Sequence, residues 1–340
     1  MLAGFFDFMN PVELTRALVA LETPTFHEGP ATELLAARLV DLGYRVELQP
    51  VTPGRHNLYA WRKEPVVVFT THLDCVPPYV PLREDAESIY GRGSCDAKGI
   101  AAAMVAAAEE LAAGGERRIG LLFLVGEENG SDGAEAAGAF TPKGQWLING
   151  EPTDNRLVIG QKGSLRMELA STGTAAHSAY PDEGQSAIVP LLETLARVQA
   201  LEWAPDPVLG AMTLNIGTIS GGVAPNVIPP HAEAQVLIRT VGPTDEVKRR
   251  LAATASPGVT ITFPVELPAY KGAAPAGWDT TVVSFASDLP MLTGWGERYQ
   301  LGPGSIRVAH TEREHLRKAD LVEGIRLYVK LARELIGDRR

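Results

Sequence analysis

Histidines and carboxylates recur along this chain in an order suited to metal binding. They are His72 and Asp74 in His-Leu-Asp, Asp96 in Gly-Arg-Gly-Ser-Cys-Asp-Ala-Lys-Gly, the pair Glu127-Glu128, Glu151 in Asn-Gly-Glu-Pro-Thr, and His310. Imidazole nitrogen mixed with carboxylate oxygen, without thiolate, is the donor set of hydrolytic zinc sites. One histidine and one carboxylate per ion, with a further carboxylate as a bridge, would hold two metals. The chemistry to expect is metal-assisted hydrolysis, in which the cations acidify water and polarise a carbonyl.

Each residue alone has a plainer reading. Asp74 lies two residues past His72, on one face of an extended strand, where it could accept the second ring N–H and fix the tautomer; it could equally cap a strand end. Asp96, among Gly91, Gly93 and Gly99 and just ahead of an Ala-rich helix, could be an N-cap. Glu127 and Glu128 follow an apolar run, where paired carboxylates need a positive partner, but an exposed acidic turn before Asn129-Gly130 would look the same. Glu151 could close a turn, and His310 taken singly reads as a surface histidine. The joint pattern carries the argument. His27, His56, His231 and His315 have no such neighbours and receive no role.

The elements that must position these residues alternate helix and strand. Apolar residues at helical spacing mark helices over Pro11–Leu21 and Ala31–Leu42, the second stopped by Gly43. Strands are expected at Tyr44–Leu48, Asn57–Trp61, Val66–Phe69 and Arg118–Val125, with a helix over Ile100–Ala113 and an apolar run from Trp146 into Glu151. Four of the five ligand clusters then fall just past strand ends, where open α/β sheets build their sites. From Ser164 the pattern becomes β-α-β-β-α-β: strands at 164–170, 212–219, 232–240 and 259–263, helices at 185–200 and 244–253, which is the split ferredoxin-like order. His310 lies beyond this segment. The expected organisation is a discontinuous metal-binding domain, 1–163 and 273–340, with a lid or dimerisation domain inserted at 164–272.

A chain of 340 residues with 45% hydrophobic and 21% charged residues can build two proper cores. A net charge of -10 with no basic stripe argues against a nucleic-acid partner. No apolar run could span a bilayer, and the short N-terminal stretch Met1–Phe8, which lacks a basic flank and contains Asp7, does not make a signal peptide; a cytoplasmic location is expected. Cys75 and Cys95 are expected to be small buried residues rather than a disulfide or ligands.

Taken together, His-x-Asp-x-Val-Pro, Gly-Arg-Gly-x-x-Asp-x-Lys-Gly, Gly-Glu-Glu, Gly-Glu-Pro-Thr and a late histidine resemble the M20 metallopeptidases and deacylases, from about His72 to His310 and including the insert. The resemblance implies a mixed sheet flanked by helices plus the ferredoxin-like lid. It implies that His72 and Glu151 hold one zinc, Glu128 and His310 the other, with Asp96 bridging and cobalt or manganese as substitutes. Glu127 would be the general base. Ala-Ala-His177-Ser-Ala-Tyr-Pro resembles the lid histidine motif, whose histidine stabilises the oxyanion and, in dimeric members, serves the partner's site. Asn226 in Gly-Gly-Val-Ala-Pro-Asn and Arg239 match positions that contact substrate, and Gly304 marks a substrate-side loop. The segments around Glu151 and His310 look most like the acetylornithine and acetyl-lysine deacetylase branch. An N-acyl, chiefly N-acetyl, amino acid is therefore the expected substrate, with a dipeptidase or carboxypeptidase as runner-up. A desuccinylase would need a second cationic clamp, which is not in evidence. A non-catalytic binding protein on this fold should have lost Glu127 or a ligand, and none is lost.

Overall fold

In the computed structural model, residues 10–337 are described, so the N-terminal stretch Met1–Phe8 lies outside them. The chain forms two compact units: Met1–Ile159, Gly272–Thr281 and Ser287–Arg340 in the larger, Gly160–Lys271 and Val282–Ala286 in the smaller. Among the described residues no helix is long and apolar enough to cross a membrane.

The larger unit opens with α1 (Pro11–Val19) and α2 (Gly29–Asp41). Asn10 caps α1 by accepting from the Val12 and Glu13 amides at 3.0 and 3.4 Å, and Pro11 lacks the N–H that the first turn would leave unpaired. Gly43, at φ 81°, ends α2: its N–H reaches the Val40 carbonyl and that of Tyr44 reaches Leu39, both at 2.9 Å. There follow β1 (Arg45–Thr52), β2 (Arg55–Trp61), β3 (Val67–His72), β4 (Arg83–Glu84), β5 (Ser88–Tyr90), α3 (Lys98–Ala113), β6 (Ile119–Leu124), α4 (Asp132–Ala136), β7 (Trp146–Asn149) and β8 (Leu157–Gln161).

The smaller unit contains β9 (Ser164–Thr172), α5 (Ile188–Gln199), β10 (Thr213–Gly221), β11 (His231–Arg239), α6 (Thr244–Ala252), β12 (Val259–Leu267) and β13 (Tyr270–Lys271). Its antiparallel sheet has the order β10-β11-β9-β12. Leu165, Met167 and Leu169 alternate inward with Val236 and Ile238, packing on Leu191, Leu195, Val198, Val247 and Leu251 from the two helices. This is the expected β-α-β-β-α-β unit. Its strands β9, β10 and β12 all outran their expected ends, β12 the farthest. β12 continues past Pro264 to Leu267, with a register shift between Thr262 and Val265. Being at the sheet edge, it tolerates a residue that cannot donate to a ladder.

After the insert come β14 (Thr280–Val283), β15 (Glu297–Gln300), β16 (His315–Arg317) and α7 (Lys318–Gly337). The main sheet has the order β1-β2-β6-β3-β7-β15. Strands β6, β3, β7 and β15 run parallel, while β2 pairs antiparallel with β6. Every residue of β3 and β6 is buried, the mark of strands covered on both faces. α3 is buried along most of its length; Ala101, Ala102, Ala103, Ala107 and Ala108 let it lie close to α1, α7 and the sheet. Parallel strands bring their carboxyl ends to one edge, and there His72 ends β3, Glu127 follows β6 and Glu151 follows β7.

Candidate metal centre

Three overlapping groups in the larger unit have ligand atoms within 4.8 Å of one another: His72, Asp96 and Glu151; His72, Glu127 and Glu128; Asp96, Glu128 and His310. Asp96 belongs to two of them. Its Oδ1 lies 3.0 Å from Nε2 of His72, and its Oδ2 lies 3.3 Å from Nε2 of His310. The same His310 nitrogen lies 2.9 Å from Oε1 of Glu128. Asp96 does not cap α3: the cap position is Ala97, with no side-chain bond, and the Asp96 carboxylate faces the two histidines instead.

Backbone geometry aims the acidic pair. Gly126 at φ 80° turns the chain out of β6 into a short 3-10 turn, Glu127–Asn129. Asp74 anchors that turn, accepting from the Glu127 and Glu128 amides at 3.1 Å each and from the Thr25 hydroxyl at 2.8 Å. Its carboxylate also stands 3.4 Å from Nδ1 of His72, but the nearer acceptor for that nitrogen is the Asp74 carbonyl, at 3.0 Å. Asp74 therefore orients the histidine mainly through its backbone and the glutamate turn through its side chain.

Electrostatics test whether cations fit here. Burial, and then repulsion from Glu151, pushes the Glu127 carboxyl well above the usual range, and burial pushes Glu151 up likewise. Burial and Asp96 raise Glu128. Burial opposes ionisation of Asp96, yet hydrogen bonds from His310 and His72 prevail and hold it well below the ordinary range. The Asp96 bond, reinforced by Glu128, pushes His310 up to about 10. So many buried carboxylates repel one another until positive charge enters, and a dication among these oxygens turns that repulsion into attraction. Cys75, pushed up to about 12 by burial, and Cys95, raised in the same way, remain thiols; both are free and buried, so nitrogen and oxygen make up the donor set. The residues fit divalent metal.

Several supporting residues carry no sequence motif. Glu314 is fully buried and accepts from the amides of Gly93, Cys95 and Asp96 at 2.9, 3.2 and 3.1 Å while pairing with Arg92 at 2.5 Å. It thereby fastens the Asp96 loop to the segment that carries His310. Arg55, also buried, bonds to Glu28 and to Asp132, bracing the turn after Gly126. Asp288 is a further buried carboxyl, pushed up to about 7 by burial, whose charge is felt by Glu127 and Glu151. Gly304 is buried at φ 88°, and a Cβ there would lie 2.6 Å from the Cys95 sulfur.

The remaining candidates belong to the smaller unit. His177 and Asn226 are exposed and adjacent: His177 bridges to Val227, and the Ser178 amide donates to the Asn226 carbonyl at 3.0 Å. Arg239 closes β11 at the opposite end, beside the Gly163–Thr240 backbone pair.

The family model described as peptidase family M20/M25/M40 matches residues 68–334. The chain belongs to that family. A peptidase M20 domain-containing protein of Schizosaccharomyces pombe is 35% identical over 95% of this chain and 84% of its own length. A probable carboxypeptidase of Neosartorya fischeri is 37% identical over 93% of this chain and 84% of its own. A tripeptidase from Staphylococcus aureus shares the fold, with a TM-score of 0.80 at 20% identity, covering 98% of this chain and 99% of that one. This M20 member is a metal-dependent hydrolase acting on amide bonds.

Proposed function

We propose that this M20 protein uses two metal ions, zinc in the first instance, to hydrolyse the amide bond that joins a C-terminal amino acid to a short acyl or peptidyl group. The observation that carries the two-metal reading is Asp96, which offers one oxygen to each of two histidines at 3.0 and 3.3 Å. His72 and Glu151 would hold one ion, Glu128 and His310 the other, with Asp96 shared. When bound, the ions supply Lewis acidity and a lowered pKa for water. Glu127 would accept the proton of the attacking water and return it to the departing amine nitrogen. Asp74 holds the Glu127 backbone amide and His72 in place throughout.

A peptide as acyl donor is favoured by the relatives named probable carboxypeptidases at 37% identity. An N-acetyl amino acid is the second reading, favoured by the Gly-Glu-Pro-Thr segment and by Gly302–Ser305 with its later His310. A panel of dipeptides, N-acetyl-ornithine, N-acetyl-lysine and succinyl-diaminopimelate, assayed with zinc or cobalt, decides between them. Peptide cleavage abolished by chelator is the expected result. Cleavage of acetylated amino acids alone would move the protein to the deacetylase branch, and no turnover across the metal-loaded panel would sink the catalytic reading.

The substrate-contacting residues call for a second copy of the chain. β11 runs nine residues from the His177–Asn226 end to Arg239, a span of about 26 Å at roughly 3.3 Å for each step between residues. One copy of the smaller unit therefore cannot bring both to one small substrate. Following the family resemblance, we assign Arg239 to the substrate carboxylate and His177, with Asn226 beside it, to the partner's site. The free edge of β10, with exposed Ile219, Val223, Val189 and Leu192 nearby, is the surface offered for that dimer. Mixing inactive His177→Ala with inactive Glu127→Gln subunits should restore turnover, because each mixed dimer has one site with both groups. Absence of rescue after verified subunit exchange would refute the shared site.

A further inference from the structure

Phe26 is costly where it stands. Its backbone has φ 79°, a left-handed conformation that bulky residues rarely adopt, and its side chain is 53% exposed. It takes no part in the larger unit's apolar core. The backbone alone gives no reason for an aromatic ring at this position, since glycine would meet its requirement without strain.

The position is nonetheless tightly built. The preceding Thr25 donates its hydroxyl to Asp74, the residue that holds the Glu127–Glu128 turn, and its amide reaches the Cys75 carbonyl at 3.3 Å. The Phe26 amide itself donates to Glu28 at 3.1 Å. Glu28 is paired with Arg55, and the Arg55 guanidinium lies 5.0 Å from the centre of the Phe26 ring. Arg55 in turn abuts Gly126, immediately before Glu127. The ring is thus backed by a buried cation on one side, open on the other, and tied through two separate contacts to the turn that carries the proposed base.

From this geometry we infer that Phe26 is a specificity-determining residue: its open face receives an apolar or aromatic side chain of the substrate next to the scissile amide. A rigid exposed ring offers large contact area at little entropic cost, and rigidity is what the Arg55 backing and the Glu28 bond supply. The inference rests on the amidohydrolase reading above, and the test separates the two.

Wild type, Phe26→Gly and Phe26→Tyr, all loaded with cobalt, are compared on Phe-Ala and Ala-Phe against Ala-Ala. In Phe26→Gly the ratio of kcat/KM for at least one Phe-containing peptide to that for Ala-Ala should fall about tenfold, the worth of one apolar contact. The melting temperature should not fall, because glycine accepts the positive φ. Phe26→Tyr should retain the preference. An unchanged ratio overturns the inference, and so does a drop in melting temperature with the ratio intact, which would return Phe26 to a structural role. If wild type cleaves no peptide, the peptidase form of that reading has failed on its own. Calorimetric binding of the same peptides to the cobalt-loaded proteins then reads the inference directly, with loss of Phe-peptide preference in Phe26→Gly supporting it and equal preference overturning it.

Discussion

Glu127→Gln is expected to keep its metal and to lose about a hundred- to ten-thousand-fold in kcat, the usual worth of a positioned general base. The substitution preserves shape. The backbone amide that anchors residue 127 to Asp74 at 3.1 Å is untouched, so the turn should stay where it is. What changes is that an amide cannot take up a proton. Metal content should hold because His72, Asp96, Glu128, Glu151 and His310 all remain. The metal-free variant should be no less stable than wild type at neutral pH, since a buried carboxylate repelled by Glu151 has been replaced by a neutral group. Metal analysis, steady-state kinetics and thermal melting on one preparation check all three. A loss in kcat below about tenfold would remove Glu127 from the base role. Loss of metal together with turnover would make it a ligand instead, as its place in a group with His72 and Glu128 allows.

Much of the candidate ligand set was legible in the sequence because His72, the Glu127–Glu128 pair and Glu151 each follow an apolar run. Val66–Phe69 announces β3, and His72 follows; Arg118–Val125 announces β6, and Glu127 follows. Parallel strands do the rest, since their ends meet wherever the intervening chain goes. The insert was legible for a similar reason: alternation at Ser164–Ala170 and helical spacing at 185–200 are local signals. What escaped is held by partners distant in sequence. Glu314 bonds to the amide of Gly93, 221 residues earlier, and in its own neighbourhood, Glu-Arg-Glu-His, it resembles any charged surface turn. Arg55 reads as an exposed residue after Pro53-Gly54, yet it is buried between Glu28 and Asp132. Asp288, in Ala-Ser-Asp-Leu-Pro, reads as a turn and is buried near Glu127. Phe26 gave no signal because left-handed backbone is expected at glycine, and sequence does not reveal where a protein tolerates strain.

Asp96→Asn should have the opposite signature to Glu127→Gln: metal lost first, and activity lost as a consequence. If Asp96 is shared, it is the one residue whose charge both ions need, and an amide in its place offers a single neutral oxygen. Wild type is expected to carry two ions per chain, and Asp96→Asn one or none when measured after dialysis against trace metal. Stability should follow occupancy. At free metal about a thousandfold above Kd, binding contributes about 4 kcal/mol to the folded state, which for a unit of this size raises its melting transition by on the order of 10 °C. That zinc-dependent rise should be largely absent in Asp96→Asn. It should persist in His315→Ala, whose ring lies against Tyr90 away from the ligand groups. Wild type binding one ion, with Asp96→Asn binding the same one, would mean that Asp96 merely orients His72 and His310 by hydrogen bonds. The reaction would then have to run on a single cation. Asp96→Asn retaining two ions would show that Glu128 and Glu151 each complete a site unaided, and the bridge would be lost from the mechanism even though the hydrolase remained.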